Sequence, residues 1–494
     1  MKTGMIYEKR FDTGVPVEVS EDFTLPDYQP EVRRVLGVRA QAAVDGKYLS
    51  GDELEADGSV IYTVCYTDAD GQIAEASETS SFTARVPLRS AGDEDDRYSP
   101  ADLALAVQTD GAVCRLSGPR RLTLSSRVRV NVLSQKPSDA SLASGDFGTV
   151  RRRVRTVRCG CLAEARGSFE ASGEIRDRED MRVAGAQGSV TVSDVRCADG
   201  RLTFKGEAGV TVLLLSPDGD PVTARGRAQI EESIERPAVP EGMKVRAAVF
   251  PTVVMTEITS EGGGVLSWRI EYDADAVLLK CGEGEITTDA YSPEGPSELE
   301  VRECRSVTPA AAQNGRLTVT GGAKTRPGAA FLWGWGTATV DRVTVSGGRV
   351  QMSGAAKLTI ISRAISRAIS QAEGELTSEE AVLPFRYEWE AADGAADSDE
   401  LAGRTSVAVT DVSAREDGGA WNLTAELAVA SVLVGETPLA AAVALHPTDS
   451  PEPVPAAKNI LRVYVPGEGE TPWDVEKKFR LSGEAECTDG VYVV

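Results

Sequence analysis

Residues 200–214, GRLTFKGEAGVTVLL, and residues 348–362, GRVQMSGAAKLTIIS, decide how the chain is read. Gly200 and Gly348 are followed at the same offset by Gly206 and Gly354, and then by the alternating apolar runs Val210–Leu214 and Leu358–Ile361. Each reads as a strand, a glycine-permitted bend and a second strand. The likeness extends upstream: Phe169–Ile175 and Val192–Val195 have counterparts in Leu317–Ala323 and Val340–Val343. A more divergent third copy opens the chain, with Val17–Leu25, then PDYQPEVRRVLGVRAQA (26–42), then DGSVIYTVCYTDADG (57–71). It aligns with roughly one residue of slippage, and an internal period of this kind organises the whole chain.

Each copy continues into further strands, and Asp70-Gly71 and Asp218-Gly219 sit between apolar runs where hairpin turns need residues that tolerate positive φ. The predicted fold class is therefore mainly β: three antiparallel β-sandwich-like repeats over residues 1–136, 150–293 and 298–448, then a proline-rich linker over 449–459 and a small module over 460–494.

The 494 residues carry Lys+Arg 53 against Asp+Glu 76, a formal net charge of −23, which argues against nucleic acid and anionic bilayers as partners. The amino-terminal MKTGMIYEKRFDTG lacks the apolar core of a secretion signal, and no uninterrupted run of about 20 apolar residues follows, so a cytoplasmic protein without a transmembrane segment is expected. Eight cysteines (Cys65, Cys114, Cys159, Cys161, Cys197, Cys281, Cys304, Cys487) are too sparse for a disulfide scaffold and read as free thiols. The close pair Cys159 and Cys161 has strand spacing and lacks neighbouring ligands, so no metal and no cofactor is expected.

The sharpest local motif is PGEGETPWDVEKKFRLS (466–482). Leu461–Val465 reads as a strand, Gly467 and Gly469 permit a turn, and Thr471 caps a helix that opens on Pro472. Trp473, Val475 and Phe479 then face a small core, Lys477 and Lys478 sit where cations favour the helix dipole, and Gly490–Val494 returns as a partner strand.

These features together resemble the SPOCS domain of SipL-type proteins, spore coat morphogenetic factors of clostridia, in which repeated SPOCS domains precede one LysM module. The tail resembles a LysM module, with a βααβ outline. It departs from the usual pattern at Glu470 (Asp is usual), Pro472 (aliphatic) and Glu476 (Ala), and its second half is short. The resemblance implies a non-enzymatic adaptor on the mother-cell side of the forespore surface. It further implies that the LysM-like loop, Gly469, Glu470, Thr471, Pro472, Trp473 and Asp474, docks on the morphogenetic ATPase that polymerises as the coat's basement layer. The alternative is a cell-wall protein whose tail binds peptidoglycan through N-acetylglucosamine. The shortened second loop favours protein docking, and a tail that simply packs on the body is the bland reading.

Arg151, Arg152, Arg153, Arg155 and Arg158 form the one dense basic run, read either as a contact for an acidic partner or, preferably, as a charged strand edge that suppresses unwanted pairing. Phe331, Trp333 and Trp335 in FLWGWG alternate as a strand would, read either as an exposed aromatic strip for binding or, preferably, as core packing of a half-buried strand, and the tandem SRAISRAI (362–369) reads as a lengthened strand or an inserted helix. The single histidine, His446, falls in a proline-rich stretch read as linker, which argues against a His-dependent triad. Glu231 and Glu232 read as solvated carboxylates, and no phosphate-binding loop is present in the sequence.

Overall fold

The computed structural model describes residues 5–88, 99, 103–143, 147–176, 178, 180–198, 200–235, 243–364, 375–448, 463–488 and 490–493. It is mainly β, in several antiparallel sheets. The first unit comprises β1 (Met5–Thr24), β2 (Arg34–Ser50), β3 (Glu53–Thr67), β4 (Ile73–Pro87), β5 (Leu103–Gly118) and β6 (Arg121–Asp139). The second comprises β7 (Arg151–Ile175), β8 (Arg182–Ala198), β9 (Arg201–Leu215), β10 (Pro221–Glu235), β11 (Lys244–Gly262) and β12 (Val265–Tyr291). The third comprises β13 (Ser297–Lys324), β14 (Ala329–Ser346), β15 (Arg349–Ala364), β16 (Leu376–Glu390), β17 (Ala402–Asp417) and β18 (Ala420–Pro447). After it come β19 (Val463–Tyr464), α1 (Pro472–Phe479), β20 (Glu486–Thr488) and β21 (Val491–Val493). The linker at 449–459 lies outside the described residues.

All three units use one topology. A meander of the second, third and fourth strands forms one sheet, and the first, sixth and fifth strands, in that order, form the other. The two layers enclose one core per unit, around Tyr62, Phe204 and Trp268, and Trp421. In β3 the buried and partly exposed positions alternate until the last four residues, all buried. The same ending occurs in β9, where the run VLLL supplies it. Alternation buries one face; an apolar run means that the outer face is covered too. Each fully buried Leu or Val there contributes about 1.5–3 kcal/mol relative to an exposed one.

What covers those outer faces is the neighbouring unit. Cys65, Leu213 and Ile361, each 148 residues after the last, join Leu36, Ala184, Trp333 and Trp335 in one cluster shared by all three units. A second shared cluster combines Ile6 and Ala140, Val157 and Ile286, and Cys304 and Ala441. The first and third units also pair directly, β1 to β13 at Glu8 and Ser306, giving a continuous six-stranded sheet.

The repeat is stricter than the sequence reading, for β3, β9 and β15 start 148 residues apart without slippage. Bulges recur at the same offsets, at Leu36, Ala184 and Leu332 and again at Asp45, Ser193 and Asp341. Gly58, Gly206 and Gly354 lie beside the second bulge. A Cβ there would stand 2.0–2.3 Å from the oxygens of Ala43, Thr191 and Thr339. These glycines are not bends between two strands; they sit within single continuous strands and make room for a bulged neighbour. Gly71 (φ +79°) and Gly219 (φ +85°) do turn the following hairpins. In the third unit that connection is longer: β16 starts 155 residues after β10, where β10 starts 148 after β4. The SRAISRAI duplication falls there, and its residues 365–369 lie outside the described residues.

A cyclic set of polar contacts follows the same repeat. Arg34 reaches Glu375 of the third unit, Arg182 reaches Gln72 of the first and Arg363 reaches Asp220 of the second. The position equivalent to Arg34 and Arg182 is Ala330, and Arg363 is its cross-strand neighbour, so the cation has moved one strand over.

Six sheet-edge strands face the junction, and a side chain from a neighbouring unit bonds to the backbone of each. Arg166 donates to Val44 O on β2, and Glu164 accepts from Leu105 N on β5. Glu75 accepts from Ala186 N on β8 while Arg39 donates to Ala186 O. Asn314 accepts from Val249 N at 2.9 Å and donates to Val249 O at 2.7 Å on β11. Thr223 donates to Leu332 O on β14, and Gln108 to Thr405 O on β17. Buried backbone groups need partners, and an unpaired edge invites foreign strands; these contacts address both.

Candidate functional site

The C-terminal module builds its loop from local rules. Thr471 is extended (φ −86°, ψ 163°) and forms a reciprocal capping box with Asp474, Pro472 occupies the first turn, and Arg480 ends the helix in the left-handed region at φ 50°. Thr471 hydrogen bonds hold the Asp474 carboxyl below its ordinary range. Gly469 takes φ +88°, which only glycine adopts at little cost. Glu470 accepts from Tyr464 Oη at 2.6 Å and from Gly467 N at 2.8 Å, and these bonds hold its carboxyl low. Val475 and Tyr492 are buried, and Phe479 meets Tyr464 edge-on at 5.0 Å.

The expected βααβ outline is not what forms. Among the described residues the module has one helix of eight residues and the sheet β19-β21-β20. Only residues 481–485 separate Arg480 from β20, too few to nucleate a stable second helix. Glu476 accepts from Ala485 N at 3.1 Å, tying this short connection back to the helix.

Trp473 points out of the module onto the second unit. Its indole N–H donates to Asp289 Oδ2 at 2.8 Å, and its ring meets Tyr291 at 5.3 Å and 61°. Lys477 Nζ donates to Asp289 Oδ1 at 2.5 Å, Tyr291 Oη donates to Leu481 O at 2.7 Å, and Arg151 pairs with the buried Glu476 at 3.2 Å. The basic run and the terminal loop, over 300 residues apart in sequence, therefore share one surface. Gly469, Pro472 and Asp474 remain exposed, while Glu470 and Thr471 are half-buried. Asp289, Tyr291 and Glu476 were not singled out as site residues. Glu476 carried a signal, a charge where the module's pattern has Ala, and Arg151 is the reason it can be buried.

The other candidates disperse. The bulge at Leu332 splits FLWGWG between two faces: Phe331 packs on the core of its own unit, while Trp333 and Trp335 enter the three-unit cluster. His446 is not in a linker; it lies on β18, exposed, 3.1 Å from Glu300. Glu231 and Glu232 are consecutive on β10 and project to opposite faces, Glu231 pairing with Lys205 at 2.8 Å. Burial pushes the Cys159, Cys281 and Cys114 thiols up to about 11, so they are protonated at neutral pH. Among the described residues no group of three or more His, Cys, Asp or Glu is placed to hold a metal ion.

A cavity of about 1540 Å³ opens where the six inward edges meet, lined by Arg39, Lys47, Arg166 and Arg404 with Glu164, Asp273 and Asp275. These charges are engaged with one another: Lys47 to Glu164 at 2.6 Å and Arg404 to Asp275 at 3.1 Å join neighbouring units, while Arg166 and Asp273 pair within the second unit. Among the described residues no helix is long and apolar enough to cross a membrane. No family model matches the chain, and neither a curated protein nor a solved structure matches it.

Proposed function

We propose that the chain is a non-enzymatic structural adaptor of spore coat assembly. Its three β-sandwich-like repeats form a body on the mother-cell side of the forespore surface. Its C-terminal module docks on the coat's basement-layer ATPase. The observation that carries this reading is the module itself, which has its own small core, is attached to the body by one aromatic pair and a few polar contacts, and presents an outer face exposed among the described residues. On that face lie Val463 of β19, Val465 just after that strand, and Val493 opposite Val463 in the register; the exposures of Val463, Val465 and Val493 are 60%, 68% and 40%. Adjacent exposed apolar residues of this kind mark interaction sites more often than random surface. Gly469, Pro472 and Asp474 of the loop are exposed as well, whereas Trp473 serves as the anchor to the body. Two engaged ends on one chain also gain from effective concentration once either is bound to a surface.

Deleting residues 463–494 should release a fluorescent fusion from the forespore surface while the body keeps its unfolding transition. Replacing Val463 and Val465 with Thr should do the same without removing the module. Retention of the module alone on purified peptidoglycan, with localisation unaffected by the valine changes, would replace this reading with the glycan one.

A further inference from the structure

We propose that the free edge of β7 at Arg152–Thr156, beside the C-terminal loop, receives an extended acidic segment of a partner protein as an added strand. β7 is the terminal strand of the sheet β11-β12-β7 and pairs with a strand on one flank only. Along its middle the other flank is covered: Gln135 accepts from Leu162 N at 2.8 Å, and Pro309 lies against Gly160. From Arg152 to Thr156 all five residues are exposed, Val154 at 48%. The six inward edges each carry a side chain from a neighbouring unit on their backbone; among the described residues no neighbouring unit reaches the backbone of 152–156.

The charges there fit an acidic strand. Arg151 is held by Glu476, and Arg158 donates to Asp393 O. No ion pair holds Arg152, Arg153 or Arg155 among the described residues, in a chain of net charge −23. The acidic groups facing this stretch are Glu283, Glu285 and Asp289, across the ribbon opposite Arg158, Thr156 and Arg153, and Asp474 on the module, whose carboxyl Arg153 helps hold down; Asp289 is engaged by Trp473 and Lys477. Arg153 and Arg155 project to the same face about 7 Å apart, the spacing of alternate side chains on a neighbouring strand. An added strand supplies backbone hydrogen bonds to the edge, and carboxylates at alternate positions meet the guanidiniums. Three cations on one edge also repel the same edge of a second copy, so the device that prevents self-pairing selects the partner's charge.

The test uses the full chain and three labelled octapeptides followed by fluorescence anisotropy: alternating Glu and Val, the same with Lys for Glu, and the Glu-Val peptide N-methylated on the amides of one edge. The Glu-Val peptide should bind, the Lys peptide should not, and N-methylation should weaken binding at least tenfold while leaving charge unchanged. The triple variant Arg152→Glu, Arg153→Glu, Arg155→Glu should lose binding with an unchanged melting transition, and the triple Lys variant should keep most of it. Equal binding of the N-methylated and parent peptides would reduce the site to non-specific charge attraction and overturn the proposal. So would unchanged binding by the Glu variant, or loss of self-association in that variant, which would make a second copy the occupant.

Discussion

The junction of the three units and the seam between the C-terminal module and the second unit are both interfaces within one chain, built from different materials. The junction is an apolar cluster drawn from all three units, with backbone edges bonded by buried side chains such as Asn314 and Glu75. The seam is one aromatic pair and four charged residues, Asp289 with Lys477 and Arg151 with Glu476, with the Lys477 side chain still 41% exposed. The first cannot open without exposing core. The second can open and leave both sides folded, the property an element that changes partners requires.

Removing an indole from each side should expose this difference most clearly. Trp333→Ala empties a site that is 1% exposed and should cost about 3–5 kcal/mol in urea unfolding, the range for buried aromatic truncations. Its indole N–H has no hydrogen-bond partner, so what is lost is packing and the contact of the Arg39 guanidinium, 5.4 Å from the ring centre. Trp473→Ala should leave the main transition where it is. Equal shifts from the two changes would mean that the seam is part of the cooperative core. Asn314→Ala comes next, because it strands the N–H and C=O of Val249 without opening a large cavity; about 1–3 kcal/mol is expected, the cost of leaving buried polar groups unpaired. A negligible loss would mean that solvent reaches that edge.

At the seam, Asp289→Ala removes the acceptor shared by Trp473 and Lys477. Ion pairs this accessible are worth about 1 kcal/mol or less, so the main unfolding transition should not move. The module should instead undock, read as a red shift in Trp473 emission and faster proteolysis between 449 and 462. An unchanged emission spectrum would show that Tyr291 and the Arg151–Glu476 pair suffice.

What the sequence disclosed was whatever rests on short-range chemistry. The DG turns at Gly71 and Gly219, the cap at Thr471 and the proline after it could all be read from neighbouring residues, and the matched motifs showed the second and third copies, whereas the exact register of the first copy could not be read. The bulges could not, because an extra residue in β14 changes which face Trp333 occupies without changing the FLWGWG pattern. Nor could the contacts of Asn314, Glu164 and Gln108: a polar residue in a strand reads as surface until the edge of another unit is placed beside it. The predicted second helix followed the resemblance to a module pattern rather than the five residues available to form it.

Glu75 offers the finest test of the junction. Its side chain is 11% exposed, its carboxylate accepts from Ala186 N at 3.0 Å, and Arg39 stands 3.2 Å away. Burial raises its pKa above the ordinary value and outweighs the opposing pull of Arg39 and the Ala186 N–H. A folded pKa above the unfolded value, about 4.3, means that the folded state holds the proton more tightly, so stability falls as pH rises from there through the raised pKa and is independent of Glu75 below it. Glu75→Gln keeps an acceptor for Ala186 and removes the titration. The melting temperature of the variant minus that of the parent should therefore rise with pH across that window and then level off. A difference that falls instead would show Arg39 outweighing burial, with the carboxylate held ionised at the junction.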